Sequence, residues 1–136
     1  MRFPHATFAA FTLAALMLIG ATRPSVIAAT TAPHAAFDVG TLHVQEHGDH
    51  GQSLILIPGL GSGPWVWKDT VAKLEDSHRI YVLTLAGFDG SAPPDKKTGL
   101  MAQTEASLLK LITSRKIDQP VLIGHSLGGT LALAFA

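Results

Sequence analysis

The chain contains no cysteine. That excludes disulfides, thiolate zinc sites and a cysteine nucleophile. It leaves the compartment open, because exported proteins need not use disulfides. Neither sign of charge prevails: ten Lys and Arg balance ten Asp and Glu. Without a basic excess, nothing points to a nucleic-acid partner. No internal repeat is present. The glycine-rich run Gly59-Leu60-Gly61-Ser62-Gly63 lacks the Lys-Ser/Thr ending that a phosphate-cradling loop requires.

What is present is apolar. Hydrophobic residues make up 47 % of the 136 positions, enough for the core of one small domain. Residues 1–28 read as a secretory signal peptide. Arg2 supplies the positive start, residues 8–19 are apolar apart from Thr12, and Val26-Ile27-Ala28 offers small residues for cleavage. The apolar run is shorter than the ~20 residues of a membrane span. The expectation is a periplasmic or secreted protein, with an uncleaved N-terminal anchor as the alternative. No twin-arginine pair is present, which favours the general secretion route. Beyond export, no membrane role is expected. Residues 29–36, small and Thr-rich with Pro33, read as a linker.

From residue 37 the pattern alternates. Leu42, Val44 and Glu46 fall on one face, and His43, Gln45 and His47 on the other, as in a strand pair broken at Gly40. Gly48-Asp49-His50-Gly51 is a turn. Residues 53–57 are a continuous apolar run, the mark of a strand covered on both faces. Pro64 suits a first helical turn. Trp67, Val71 and Leu74 then recur at helical spacing, with Lys68, Asp69, Lys73 and Glu75 outward. Residues 79–85 form another strand, residues 86–97 a Gly/Pro-rich loop, and Met101, Leu108, Leu111 and Ile112 an amphipathic helix ending near Lys116. Strands alternating with helices predict an α/β fold with a mostly parallel sheet. Ligands of such sheets bind at the carboxyl ends of the strands.

One stretch organises the rest. Val121-Leu122-Ile123 reads as a buried strand, Gly124-His125-Ser126-Leu127-Gly128 fits G-x-S-x-G, and residues 130–136 open a helix. In that strand–turn–helix context the motif is a nucleophile elbow. Gly124 and Gly128 let strand and helix approach, and the helix start beneath Ser126 favours developing negative charge.

Three stretches, in this order and spacing, resemble the α/β-hydrolase family. They are Leu54-Ile55-Leu56-Ile57-Pro58-Gly59-Leu60-Gly61-Ser62 with Trp67 following, Val82-Leu83-Thr84-Leu85-Ala86-Gly87-Phe88-Asp89-Gly90-Ser91, and the elbow itself. The wording Leu85-Ala86-Gly87-Phe88 resembles an exported bacterial branch. Pro58 departs from the histidine, and Ala86 from the aspartate, that many members carry. The resemblance implies a sheet of the α/β-hydrolase type, with residues 37–136 as the N-terminal portion of the domain, truncated just after the elbow. It implies Ser126 as nucleophile, and the backbone N–H groups of Leu60 and Leu127 as the oxyanion hole. It implies hydrolysis of a small carboxylic ester through an acyl-serine, with no cofactor and no metal. A binding module on the same scaffold, a cofactor-free haloperoxidase, a C–C hydrolase and an acyltransferase stay open as alternatives.

The family's chain order places an acid and then a histidine after the serine. Neither follows Ser126 here. The chain is therefore expected to be the front portion of a longer protein, inactive alone, with an unpaired edge on the strand at residue 121. His125, adjacent in the turn, is expected to point away from Ser126. His43, His47 and His50 are read as a solvated strand face rather than a metal site. Trp65 and Trp67 line either the acyl pocket or the core. Asp89 and Asp95 read as turn residues, Lys96 and Lys97 as a solvated loop.

Overall fold

The computed structural model describes residues 32–94 and 97–136. The expected export signal at 1–28, the first linker residues 29–31, Asp95 and Lys96 lie outside the described residues. Three layers are observed. Strands β1 (Ala35–Val39), β2 (Leu42–His47), β3 (Gln52–Ile57), β4 (His78–Thr84) and β5 (Val121–Gly124) form one sheet in the order β1-β2-β4-β3-β5. A 3-10 turn at Pro64–Trp67 runs into α1 (Lys68–Leu74), and α2 (Leu100–Ser114) and α3 (Leu127–Phe135) complete the helices. The β3, β4 and β5 strands run parallel, while β1–β2 and β2–β4 are antiparallel. Among the described residues no helix is long and apolar enough to cross a membrane.

Pairing explains the apolar runs. β3 is hydrogen-bonded to β4 on one side and β5 on the other, and Leu54, Ile55, Leu56 and Ile57 are all buried. A strand covered on both faces and paired on both edges has no side that favours polar residues. Leu108 and Leu111 of α2 and Leu131 of α3 close one face of the sheet against Val44, Ile55 and Leu83. Val71 of α1 closes the other against Leu54, Leu56, Ile80 and Val82, with Trp67 and Leu74 alongside. The break at Gly40 is a turn with φ 60°. A side chain there would strike Ser107 of α2, whose hydroxyl accepts the Thr41 N–H at 3.0 Å.

Three expectations need correction. β1 starts at Ala35, inside the stretch read as linker, because residues 35 and 36 pair with Glu46 and Gln45. β5 is half-buried rather than buried, with Val121 45 % exposed. Among the described residues it pairs only with β3, so one edge meets solvent.

The third correction concerns the histidines. His43 and His50 are solvated, each paired with a neighbouring aspartate, Asp38 and Asp49. His47, however, is only 5 % exposed, packed at the end of β2 beside Ile80. Its Nδ1 stands 3.7 Å from the Glu75 carboxylate and makes no hydrogen bond. Glu75 thus faces inward, not outward. Burial lowers the His47 pKa from its ordinary 6.5, partly opposed by Glu75. A histidine whose folded pKa is depressed binds its proton more readily when unfolded. Its contribution to stability is complete above pH 6.5 and is lost as pH falls below that value toward the folded pKa. The urea midpoint is therefore expected to drop between about pH 7.5 and 5 more steeply in the wild type than in His47→Gln. Equal slopes would refute the burial effect.

Candidate active site

The end of the parallel sheet sets the geometry. Ile57, the last residue of β3, is level with Gly124, the last of β5. The His125 N–H still donates to the Ile57 carbonyl at 3.0 Å. The chain then leaves the sheet through Ser126, at φ 54° and ψ −117°, and α3 begins one residue later. A positive φ is costly for a residue with a Cβ, and persists only where the surroundings enforce it. Here the first turn of α3 does so. The carbonyls of His125 and Ser126 accept the N–H groups of Gly128 and Gly129, each at 2.9 Å.

Two glycines make the turn sterically feasible. A methyl on Gly124 would lie 2.1 Å from the Gly128 carbonyl oxygen, and one on Gly128 would lie 2.1 Å from the Ile57 carbonyl oxygen. Strand β5, helix α3 and the end of β3 therefore meet backbone to backbone.

Loops from two other strands converge on this point. Gly59 lies against the turn: a methyl there would be 3.3 Å from Ser126 Cβ and 3.0 Å from His125 Nδ1. Leu60 follows, with its side chain 72 % exposed, and the Ser62 N–H returns to the Gly59 carbonyl. The loop after β4 packs on this one. The Asp89 carboxylate sits over Gly63, where a methyl would come within 2.6 Å of Oδ2. Asp89 is a turn residue with φ 47°. The turn is fastened by the Ser91 hydroxyl, which donates to the Leu85 carbonyl at 2.7 Å. Sequence reasoning gave Ser91 no role and did not reach the Asp89–Gly63 contact. The only signal for either was the Asp-Gly-Ser string itself, a common turn composition.

Ser126 is solvent-exposed at the start of α3. Among the described residues its hydroxyl has no hydrogen-bond partner, and the N–H groups of Leu60 and Leu127 also have none. The Leu127 N–H opens a helix, at the end where the backbone dipole attracts negative charge. The His125 ring stands against Gly59 and makes no hydrogen bond to Ser126. Trp67 packs into the smaller core cluster, whereas Trp65 is 65 % exposed. Among the described residues no three metal-ligating side chains assemble. The arrangement can present one hydroxyl beside backbone donors at the sheet edge where ligands of such folds bind.

Comparison with known proteins agrees with this picture. Residues 54–136 match the model of the alpha/beta hydrolase family. The chain is 33 % identical over 95 residues to a pimeloyl-[acyl-carrier protein] methyl ester esterase of Vibrio campbellii, covering 70 % of this chain and 35 % of that protein. It is 33 % identical over 90 residues to the probable esterase PIR7A of Oryza sativa, covering 65 % and 34 %. The chain thus spans about a third of the length of the curated relatives it matches. The epoxide hydrolase VrEH1 of Vigna radiata superposes with a TM-score of 0.65 at 19 % identity, over 74 % of this chain and 32 % of that one. At such identity the likeness carries the fold alone.

Proposed function

Since this chain belongs to the alpha/beta hydrolase family, we propose that it bears the nucleophile of a serine hydrolase acting on small carboxylic esters. The observation that carries the reading is the exposed Ser126 at φ 54°, directly at the N-terminus of α3. Two relatives named as esterases support it. In this mechanism Ser126 Oγ attacks the ester carbonyl carbon while a histidine takes its proton. The oxyanion is held by the N–H groups of Leu60 and Leu127. The histidine returns the proton to the departing alkoxide, and the alcohol leaves. Water then attacks the acyl-serine by the same route, releasing the acid and restoring the serine. Both oxyanion donors are backbone groups, so their side chains matter little to the charge. No cofactor takes part.

The reading requires a general base. Among the described residues no histidine or carboxylate hydrogen-bonds Ser126. Labelling by a fluorophosphonate probe tests this. Protein made from the whole coding sequence is expected to label, and its Ser126→Ala variant is not. A folded wild type that stays unlabelled would instead favour a binding module on the same scaffold.

Residues 1–28 are read as an export signal. Sequencing the N-terminus of protein recovered from the periplasm or medium is expected to begin at Ala29 or the residue after it. Recovery of Met1 on the mature protein would replace export and cleavage with an N-terminal anchor.

A further inference from the structure

The opposite end of the sheet holds a second concentration of chemistry. Along β4, Arg79 and Tyr81 share the face covered by α2, because residues two apart on a strand point the same way and Tyr81 packs with Leu108, Leu111 and Ile117. Ser53 is level with Arg79 on β3, and Glu46 is level with Tyr81 on β2. Helix α2 ends at Ser114, before it reaches this edge. The sheet is left open there, in a recess of about 370 Å³ lined by Ser53, Arg79, Tyr81, Arg115, Lys116 and Asp118. That volume suits a small molecule.

The charges in the recess are unequal. Arg79 of β4 stands with Arg115 and Lys116 from the end of α2, against Asp118 on the wall and Glu46 behind, 3.8 Å from Arg79 Nε. The arginines are held in place. Arg79 donates from Nη2 to the Asp49 carbonyl, and its Nε is buried without a hydrogen-bond partner. The Arg115 guanidinium lies 3.7 Å above the Phe37 ring. The end of α2 would ordinarily repel an anion, but its last carbonyls are engaged. Leu111, Thr113 and Ile112 accept the N–H groups of Arg115, Lys116 and Ile117 at 2.9–3.2 Å. The Tyr81 hydroxyl, kept protonated first by burial and then by Glu46, adds a neutral donor.

We propose that this recess binds the phosphate group of a small phosphomonoester. A carboxylate presents two coplanar oxygens, which one arginine fork satisfies. Three cations converging from two sides, together with the Ser53 and Tyr81 hydroxyls, match the several oxygens of a phosphate better. The site is distinct from Ser126. Ser53 is the second residue of the strand whose far end, Ile57, abuts the Ser126 turn, roughly 13 Å away at ~3.3 Å per residue.

Titration calorimetry, at low salt, of protein made from the whole coding sequence tests the proposal, with inorganic phosphate and glycerol 3-phosphate as probes. The expected result is saturable binding of one equivalent, weakened about tenfold in Arg115→Gln and in Lys116→Gln, the effect of losing one charge-assisted hydrogen bond. Both side chains are exposed, so both variants are expected to fold. Lys110→Gln, an exposed change on α2 outside the recess, is expected to bind like the wild type. Vesicles bearing phosphatidic acid distinguish the source: sedimentation that depends on Arg115 assigns a lipid headgroup, and binding of the soluble probes alone assigns a free metabolite. Absence of saturable binding, equal binding by all variants, or equal competition by chloride at matched ionic strength would overturn the site.

Discussion

Ser126→Ala is expected to lower ester turnover by about a millionfold in protein that carries the full catalytic apparatus, the scale seen when a hydrolase loses its nucleophile. Ser126→Gly is expected to be equally inactive yet more stable than the wild type, by about 1 kcal/mol. The two effects separate because the same residue carries both chemistry and strain. At φ 54° and ψ −117°, a side chain with a Cβ costs roughly 1–3 kcal/mol, and glycine removes that cost. Against this stands the larger freedom that glycine gives the unfolded chain, roughly 0.5–1 kcal/mol. Strain relief outweighs that freedom, so the net sign is stabilising. Alanine keeps the Cβ and the strain, and should leave stability near that of the wild type. Turnover and urea denaturation, measured on all three proteins, check both claims. Activity in Ser126→Ala within about a hundredfold of wild type would remove the serine from the mechanism. A Ser126→Gly protein less stable than Ser126→Ala would show that the turn is not strained.

Much of this architecture was legible because apolar runs and glycines have few alternative uses. The run at 53–57 reads as a doubly covered strand, and it lies between β4 and β5 in the sheet. Gly124 and Gly128 announced a close approach, and the structure brings backbone atoms there to contact distances no side chain tolerates. What could not be read is what depends on who sits next to whom. Val121-Leu122-Ile123 is as apolar as β3, yet half-buried, since apolar content reports preference and not the presence of a neighbouring strand. His47 shares a strand face with His43 and looks equally solvated in sequence, but α1 brings Glu75 over His47 alone. The recess beyond the end of α2 is invisible in sequence for the same reason. Arg79 is far in the chain from Arg115 and Lys116, and only strand register and the length of α2 bring them to one concavity.

The glycines of the turn supply the sharpest structural test, because three of them stand close together and should not behave alike. Gly128→Ala puts a methyl 2.1 Å from the Ile57 carbonyl oxygen and 2.7 Å from that of Pro58. Both are backbone atoms of β3 and the loop after it, so no side chain can rotate away. Either α3 lifts from the sheet or the β3–β5 pairing opens. Gly124→Ala meets the Gly128 carbonyl in the same way. Each is expected to destabilise the domain by about 3 kcal/mol or more, the upper part of the overpacking range, which is a large share of the stability of a domain this size. Each should also turn the Leu127 N–H away from the Ser126 hydroxyl, so that any folded remnant is catalytically impaired. Gly129→Ala is the control. The nearest contact of a methyl there is 3.5 Å, from the Gly124 carbonyl oxygen, and its φ is not positive. Within α3 the added side chain is expected to stabilise by up to about 1 kcal/mol through helix propensity. Urea midpoints of the three variants should therefore fall on both sides of the wild type. If Gly128→Ala and Gly129→Ala were indistinguishable, the backbone contact between α3 and β3 would not be what holds Ser126 in its turn.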